Sequence, residues 1–173
     1  MHINFEFKAR HRNIVEAERI LQQQAPVFIG EDHQIDTYFN ATTGRLKLRE
    51  GTIEQALIFY ERSDAAMAKQ SNVTLYQHKP DAALKEILSQ SLGVKIIVDK
   101  QRRIYFIGNV KFHFDTVAGL GHFIEVEAID TDGSLGLEKL QEQCASFQTL
   151  LGVANNDFVA ESYSDLLLAK KSS

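Results

Sequence analysis

Polar and apolar residues alternate with a period of two along most of this chain. From His2 to Lys8, the polar positions His2, Asn4, Glu6 and Lys8 alternate with Ile3, Phe5 and Phe7, the spacing of a half-buried strand. Arg45–Glu50 repeats the device, setting Arg45, Lys47 and Arg49 against Leu46 and Leu48. Strands also fit Val27–Phe39, Gln55–Arg62, Val73–Lys79, Val94–Ile107, Val110–Val117 and Phe123–Ile129. The pattern therefore predicts about eight strands, joined by short turns suited to antiparallel pairing.

Helical spacing interrupts this pattern in three places. Asn13, with Glu16 three residues later, resembles a capping box and opens a helix carrying Ile14, Ala17 and Leu21 inward. Asp81 caps a second helix with Leu84, Ile87 and Leu88 on one face, stopped at Gly93. A third, from about Ser134 to Leu151, aligns Leu137, Leu140, Cys144, Phe147 and Leu151 and ends at Gly152. A short helical tail, Tyr163 to Leu168, follows. The predicted class is α+β, dominated by an antiparallel sheet.

The polar faces of these strands carry strong charges where Thr, Ser or Gln would be ordinary. The cations are Lys8, Lys47, Arg49, Arg62, Lys100, Arg102 and Lys111, and the acids are Glu6, Asp115, Glu125 and Glu127. A single such strand reads as a solvated outer face. Repetition over six strands favours a closed eight-stranded antiparallel β-barrel, its charged face lining a lumen and its apolar face covered by helices.

Turn geometry predicts a register. A two-residue hairpin at Gly108-Asn109 pairs Ile107 with Val110. Phe106 then faces Lys111, Ile104 faces His113 and Arg102 faces Asp115, all on one side of the sheet. A turn through Ala118-Gly119-Leu120-Gly121 would then set Asp115 opposite Glu125 and His113 opposite Glu127. Clustered carboxylates at Asp115, Glu125 and Glu127 call for a cation, and oxygen ligands favour Mg²⁺ or Mn²⁺ over zinc. The surrounding Lys and Arg suit phosphate oxygens. The competing reading is mutual neutralisation by salt bridges within the lumen.

Bulk properties narrow the setting. The 173 residues fit a single domain spanning 1–173, with no linker or repeat, and 44% of them are apolar. A net charge of −4 argues against nucleic acid as the main partner. One cysteine, Cys144, permits no internal disulfide and suits a reducing cytoplasm; its place on a helix face predicts a buried, inert thiol. Polar residues in the first eight positions argue against a signal peptide, and no apolar run approaches the roughly 20 residues of a membrane span. A cytoplasmic protein without a membrane partner is expected. A homodimer stays open.

The same residues resemble the CYTH superfamily, the triphosphate tunnel metalloenzymes, whose signature is an N-terminal strand reading Glu-x-Glu-x-Lys. Here that stretch is Asn4-Phe5-Glu6-Phe7-Lys8, with an amide in place of the first acid. Further segments are similar to the branch containing class IV adenylate cyclases: Asp36-Thr37-Tyr38-Phe39, Gly44 through Arg45, Lys47 and Arg49 to Glu50, Tyr60-Glu61-Arg62, and Val98-Asp99-Lys100-Gln101-Arg102. His113 through Asp115, Val117 and Gly119-Leu120-Gly121 to Phe123-Ile124-Glu125-Val126-Glu127 matches best, and Glu161 to Leu167 resembles the branch's C-terminus. The resemblance covers nearly the whole chain.

It implies a closed tunnel in which Glu6, Glu125 and Glu127 ligate Mg²⁺ or Mn²⁺. Asp115 becomes a further ligand or a substrate-positioning acid, and Arg102 either holds phosphate or orients Asp115; these two are the catalytic candidates. Lys8, Lys47, Arg49, Arg62, Lys100, Arg102 and Lys111 would hold the phosphates of a small-molecule triphosphate. Asn4 bears on whether one metal or two can bind. His113, Asp36 and Tyr38 read as architectural. The implied function is an adenylate cyclase converting ATP to cyclic AMP and pyrophosphate. The alternatives are a triphosphatase acting on thiamine triphosphate, tripolyphosphate or a nucleotide, and a non-catalytic polyphosphate-binding module.

Overall fold

A computed structural model describes the backbone of residues 3–62 and 69–173 and the side chains of residues 3–61 and 73–173. Eight strands, β1 (Ile3–Arg10), β2 (Val27–Phe39), β3 (Arg45–Gly51), β4 (Gln55–Arg62), β5 (Lys69–Gln77), β6 (Val94–Ile107), β7 (Val110–Val117) and β8 (Gly121–Asp130), form one curled antiparallel sheet. Four helices accompany them: α1 (Ile14–Gln22), α2 (Ala82–Leu92), α3 (Gly136–Leu150) and α4 (Tyr163–Lys171). Among the described residues no helix is long and apolar enough to cross a membrane.

The strands pair in the order β1-β5-β4-β3-β2-β6-β7-β8, and the order returns to β1. Among the described residues, eight pairs join β1 to β8 and three, from Asn4↔Ser71 to Glu6↔Lys69, join it to β5.

The β6–β7 hairpin has the register its turn predicts. Ile107 pairs with Val110, Phe106 with Lys111, Ile104 with His113 and Arg102 with Asp115. Gly108 supplies the positive φ of 56° that the two-residue turn needs. The next hairpin departs from expectation by two residues. Val117 pairs with Gly121, so His113 faces Glu125, Lys111 faces Glu127, and Asp115 faces Phe123. The reason lies in the turn: Ala118 donates its N–H to the carbonyl of Asp99, extending the ladder along β6, and Leu120 closes back onto Val117. Only Ala118, Gly119 and Leu120 remain for the loop. A shift of two preserves the face of every side chain, so the charged residues stay together while their neighbours change.

Helical cover is one-sided. The principal core lies outside the sheet, where Phe7, Phe112, Phe114 and Val126 meet Ala17 and Leu21 of α1 and Leu140 and Cys144 of α3. The caps that start two helices are formed as expected: Asn13 accepts from the Glu16 N–H and Asp81 from that of Ala83. Helix α2, however, buries no residue, and Ile87 is 62% exposed, so its apolar face is not a core face. Leu137 is likewise exposed. On β6, Lys95, Ile97, Asp99 and Gln101 all face solvent.

The inner face changes character along the strands. Ile96 and Val98 share a side of β6 with Lys100 and Arg102, and all four are buried. With Ile58, Tyr60, Phe123 and Tyr163, the first two form a second core inside one end of the ring. The lumen is therefore apolar at that end and charged beyond it.

Candidate active site

The charged faces of β1, β3, β6, β7 and β8 converge on a cavity of about 940 Å³. Lys8, Lys47, Arg49, Lys100, Arg102 and Lys111 line it, as do Glu6, Glu125 and Glu127. Asp115 sits behind this lining, fully buried. The side chain of Arg62 lies outside the described residues.

Three cations share one acid on the β2, β3 and β6 side. Asp36 accepts from Lys47 Nζ at 3.0 Å, from Arg49 Nε at 2.8 Å, and from Lys100 Nζ at 2.7 Å. Burial alone would raise its pKa, but Arg49, Lys100 and Lys47 hold it well below the usual carboxylate range. Lys100 shows the converse. Burial pushes its ammonium down to about 7, with Arg49 and Arg102 adding to the effect and Asp36 opposing it. Three positive groups around one negative one leave a local cationic surplus.

A second network surrounds Arg102. Its guanidinium donates to Asp115 through Nε at 2.7 Å and Nη2 at 2.5 Å, and to Glu125 at 2.7 Å. Tyr163, the first residue of α4, donates its hydroxyl to Asp115 at 2.7 Å. Asp115 thus receives three hydrogen bonds, an arrangement suited to fixing Arg102 and α4. Glu125 also meets His113 Nδ1 at 3.1 Å and Lys8 Nζ at 3.9 Å. Burial and the neighbouring Arg102 push His113 down to about 4, so the ring is neutral at pH 7. Its Nε2 is buried without a partner.

The β1–β8 side is the anionic counterpart. Glu6 pairs directly with Glu127 across the strands. Burial, followed by the charge of Glu6, pushes Glu127 up to about 7. Asn4 donates through Nδ2 to Glu127, while its Oδ1 is buried with no partner. Two opposed carboxylates and an orphaned amide oxygen fit a hard divalent cation. Among the described residues no three acidic, His or Cys side chains are grouped closely enough to hold a metal by themselves, and Glu125 is drawn toward Arg102.

Sequence reasoning missed Glu54 and undervalued Asp36. Glu54 follows a turn and carries no alternation signal, yet it lines the cavity and accepts from Lys111, from Arg49 at 3.0 Å and from Gln34 at 3.0 Å. Cys144 is the buried thiol its spacing implies. Burial pushes it up to about 12, and Sγ donates to the carbonyl of Phe5.

With the fold and cavity described, comparison with known proteins is direct. The CYTH domain family matches residues 2–163. The chain belongs to the CYTH domain family. No curated protein sequence matches it. Among solved structures, the CYTH chain is similar to the PH1012 protein from Pyrococcus horikoshii OT3, at 21% identity with a TM-score of 0.77, covering 94% of this chain and 98% of that one. A candidate adenylate cyclase from Vibrio parahaemolyticus gives 21% identity and a TM-score of 0.76, covering 96% and 98%. A candidate adenylyl cyclase from Hippeastrum, with a dominant triphosphatase activity, gives 11% identity and a TM-score of 0.62, covering 100% and 97%. At these identities the likenesses establish the CYTH fold alone.

Proposed function

We propose that this protein is a divalent-cation-dependent enzyme that binds a triphosphate inside a closed tunnel. The observation that carries the proposal is a cluster of cations and an opposed pair of acids on one cavity. Lys47, Arg49 and Lys100 converge on Asp36 on one wall, while Glu6 and Glu127 oppose one another on another. A lumen built only to neutralise itself would set each acid against a base, not Glu6 against Glu127. A metal–triphosphate complex complements both walls together.

In this reading Lys8, Lys47, Arg49, Lys100 and Lys111 bind phosphate oxygens, with Arg62 as a further candidate. Glu6, Glu127 and the Oδ1 of Asn4 would hold the cation, with Glu125 beside them. Bound there, Mg²⁺ or Mn²⁺ supplies Lewis-acid polarisation of the phosphate oxygens it touches. Arg102, clamped by Asp115, offers a fixed positive charge toward the cavity, and preorganised charge of this kind stabilises what develops on a leaving phosphate.

The leading activity is adenylate cyclase: the 3′-hydroxyl of ATP attacks the α-phosphorus, and pyrophosphate leaves. Similarity of the Asp36, Arg45–Glu50 and His113–Glu127 segments to the cyclase branch favours it. The second reading is a triphosphatase, in which water attacks the terminal phosphorus. It is favoured by the neighbour from Hippeastrum, a candidate cyclase whose dominant activity is triphosphatase. Phosphoryl transfer can run on positioning and charge neutralisation, so the lumen serves either reaction.

Incubation with Mn²⁺ or Mg²⁺ and ATP, thiamine triphosphate or tripolyphosphate tests the proposal. Cyclic AMP with pyrophosphate supports the cyclase, and orthophosphate without cyclic nucleotide supports the triphosphatase. Triphosphate binding without turnover of any of the three would reduce the protein to a polyphosphate-binding module.

A further inference from the structure

Strand β3 separates two different ends of the lumen. At its first residue, Arg45 pairs with Asp165 of α4 at 2.7 Å, so α4 and the inner core of Tyr38, Tyr60 and Tyr163 close that end. Its last residue, Gly51, leads into the turn that carries Glu54. Seven residues of extended chain place the two ends about 20 Å apart. Glu54 therefore stands at the end opposite α4. The same cavity is lined by Ile53, Phe106 and Ile129, and Ile53 is 43% exposed. Apolar side chains thus stand beside the Glu54 carboxylate at this end, with Glu127 and Glu6 in the row of Phe106 across the sheet.

The carboxylate is held there by construction. Asp32, itself fully buried, accepts from the backbone N–H of Ile53 at 2.9 Å and of Glu54 at 3.0 Å, and from the Thr52 hydroxyl at 3.0 Å. Gly51 has no room for a Cβ between Asp32 and the carbonyl of Glu54. The turn is consequently locked onto β2 and its fourth residue is delivered inward. Lys111, Arg49 and Gln34 then fix the carboxylate from three sides. Burial would raise the Glu54 pKa, but Lys111 and Arg49 hold it well below the usual carboxylate range. It stays anionic at any physiological pH.

A fixed, half-buried negative charge repels phosphate at short range and accepts hydrogen bonds from hydroxyl or amino groups. We propose that Glu54 is a specificity-determining residue that ends the phosphate track and reserves the rim for the uncharged, organic part of an organic triphosphate. This rests on the triphosphate reading above. Ile53, Phe106 and Ile129 supply the apolar surface on which such a group can lie, and Glu54 accepts a hydrogen bond from it. An inorganic chain that reaches the same place meets a carboxylate that already engages Lys111 and Arg49.

Calorimetric titration of wild type and Glu54→Gln with inorganic tripolyphosphate and a non-hydrolysable ATP analogue tests this. Wild type should bind the ATP analogue more tightly than tripolyphosphate. Glu54→Gln should tighten tripolyphosphate tenfold or more, while the ATP analogue stays within twofold or weakens. Glu54→Asp should retain the wild-type preference. Equal tightening of both ligands in Glu54→Gln, or no change in either, overturns the proposal. A wild-type preference for tripolyphosphate overturns it without recourse to any variant. If wild type binds neither ligand, the triphosphate reading itself fails, a result distinct from loss of selectivity alone.

Discussion

Glu6 and Glu127 stand directly opposite each other on adjacent strands, both facing a cavity whose other wall is cationic. Like charges across a strand pair destabilise the sheet. The arrangement persists because Glu127 can keep its proton, having been pushed up to about 7 by burial and by Glu6.

This sets a pH dependence for the metal-free protein. The folded pKa of Glu127 lies above the roughly 4.3 of an unfolded glutamate, so the folded state binds the extra proton between the two values. The associated stability is complete below about pH 4 and is lost as pH rises through about 7. In excess chelator, the Glu127 contribution to thermal stability should fall across that window, by about 3–4 kcal/mol in all. Glu127→Gln should remove this component. Added Mg²⁺ or Mn²⁺ should restore the wild type above pH 7 and do little for Glu127→Gln. Melting curves in chelator and in metal, compared across the pH range, check it.

Asn4 offers an amide where a carboxylate would add full charge. Its Nδ2 donates to Glu127 and its Oδ1 is unpartnered. Asn4→Glu should lower the melting temperature of the chelated protein, since a third acid joins Glu6 and Glu127. It should also lower the metal concentration required for half-maximal thermal stabilisation, because a carboxylate attracts the cation more strongly than a dipole does. Metal titrations followed by melting temperature read both effects, and an unchanged metal midpoint would remove Asn4 from the metal site.

Asp36 is the anion on which Lys47, Arg49 and Lys100 converge. Asp36→Asn removes the counter-charge of Lys47 and Lys100, leaves Arg49 with Glu54 alone among the described residues, and should cost about 3–5 kcal/mol of stability. Tripolyphosphate supplies the missing negative charge. It should therefore raise the melting temperature of Asp36→Asn more than that of wild type, and equal shifts would mean that these cations do not reach the ligand.

Lys47 lines the cavity, whereas Lys139 pairs with Glu142 on the surface of α3. Lys47→Ala should weaken binding of a non-hydrolysable triphosphate by about 1.5–3 kcal/mol, the worth of a charge-assisted hydrogen bond. Lys139→Ala should change it by less than about 0.5 kcal/mol. Isothermal calorimetry at matched ionic strength compares them. Arg102→Ala is a poorer probe, because it would strand Asp115 and Glu125 in the interior.

The sequence pattern predicted eight strands, since a pleated strand with one charged face writes itself directly into the order of residues, although β5 runs from Lys69 to Gln77 and not from Val73 to Lys79. The Gly108-Asn109 turn likewise fixed the β6–β7 register, because a two-residue hairpin permits one pairing. The register of β8 was not legible: whether Ala118 extends the ladder or joins the loop depends on the Asp99 carbonyl of a third strand. Nor did the sequence distinguish Ile96 and Val98 from Lys100 and Arg102, which share one inner face, because their difference is position along a lumen that α4 closes at one end. Which acid meets which base was decided by long-range geometry. Asp115 turned to Arg102 and Tyr163, Glu125 turned to Arg102 and His113, and Glu54 entered from a turn held by Asp32. Alternation records only the face a residue occupies; its partner is set by the curl of the sheet, which brings distant strands within the few ångströms over which ion pairs form.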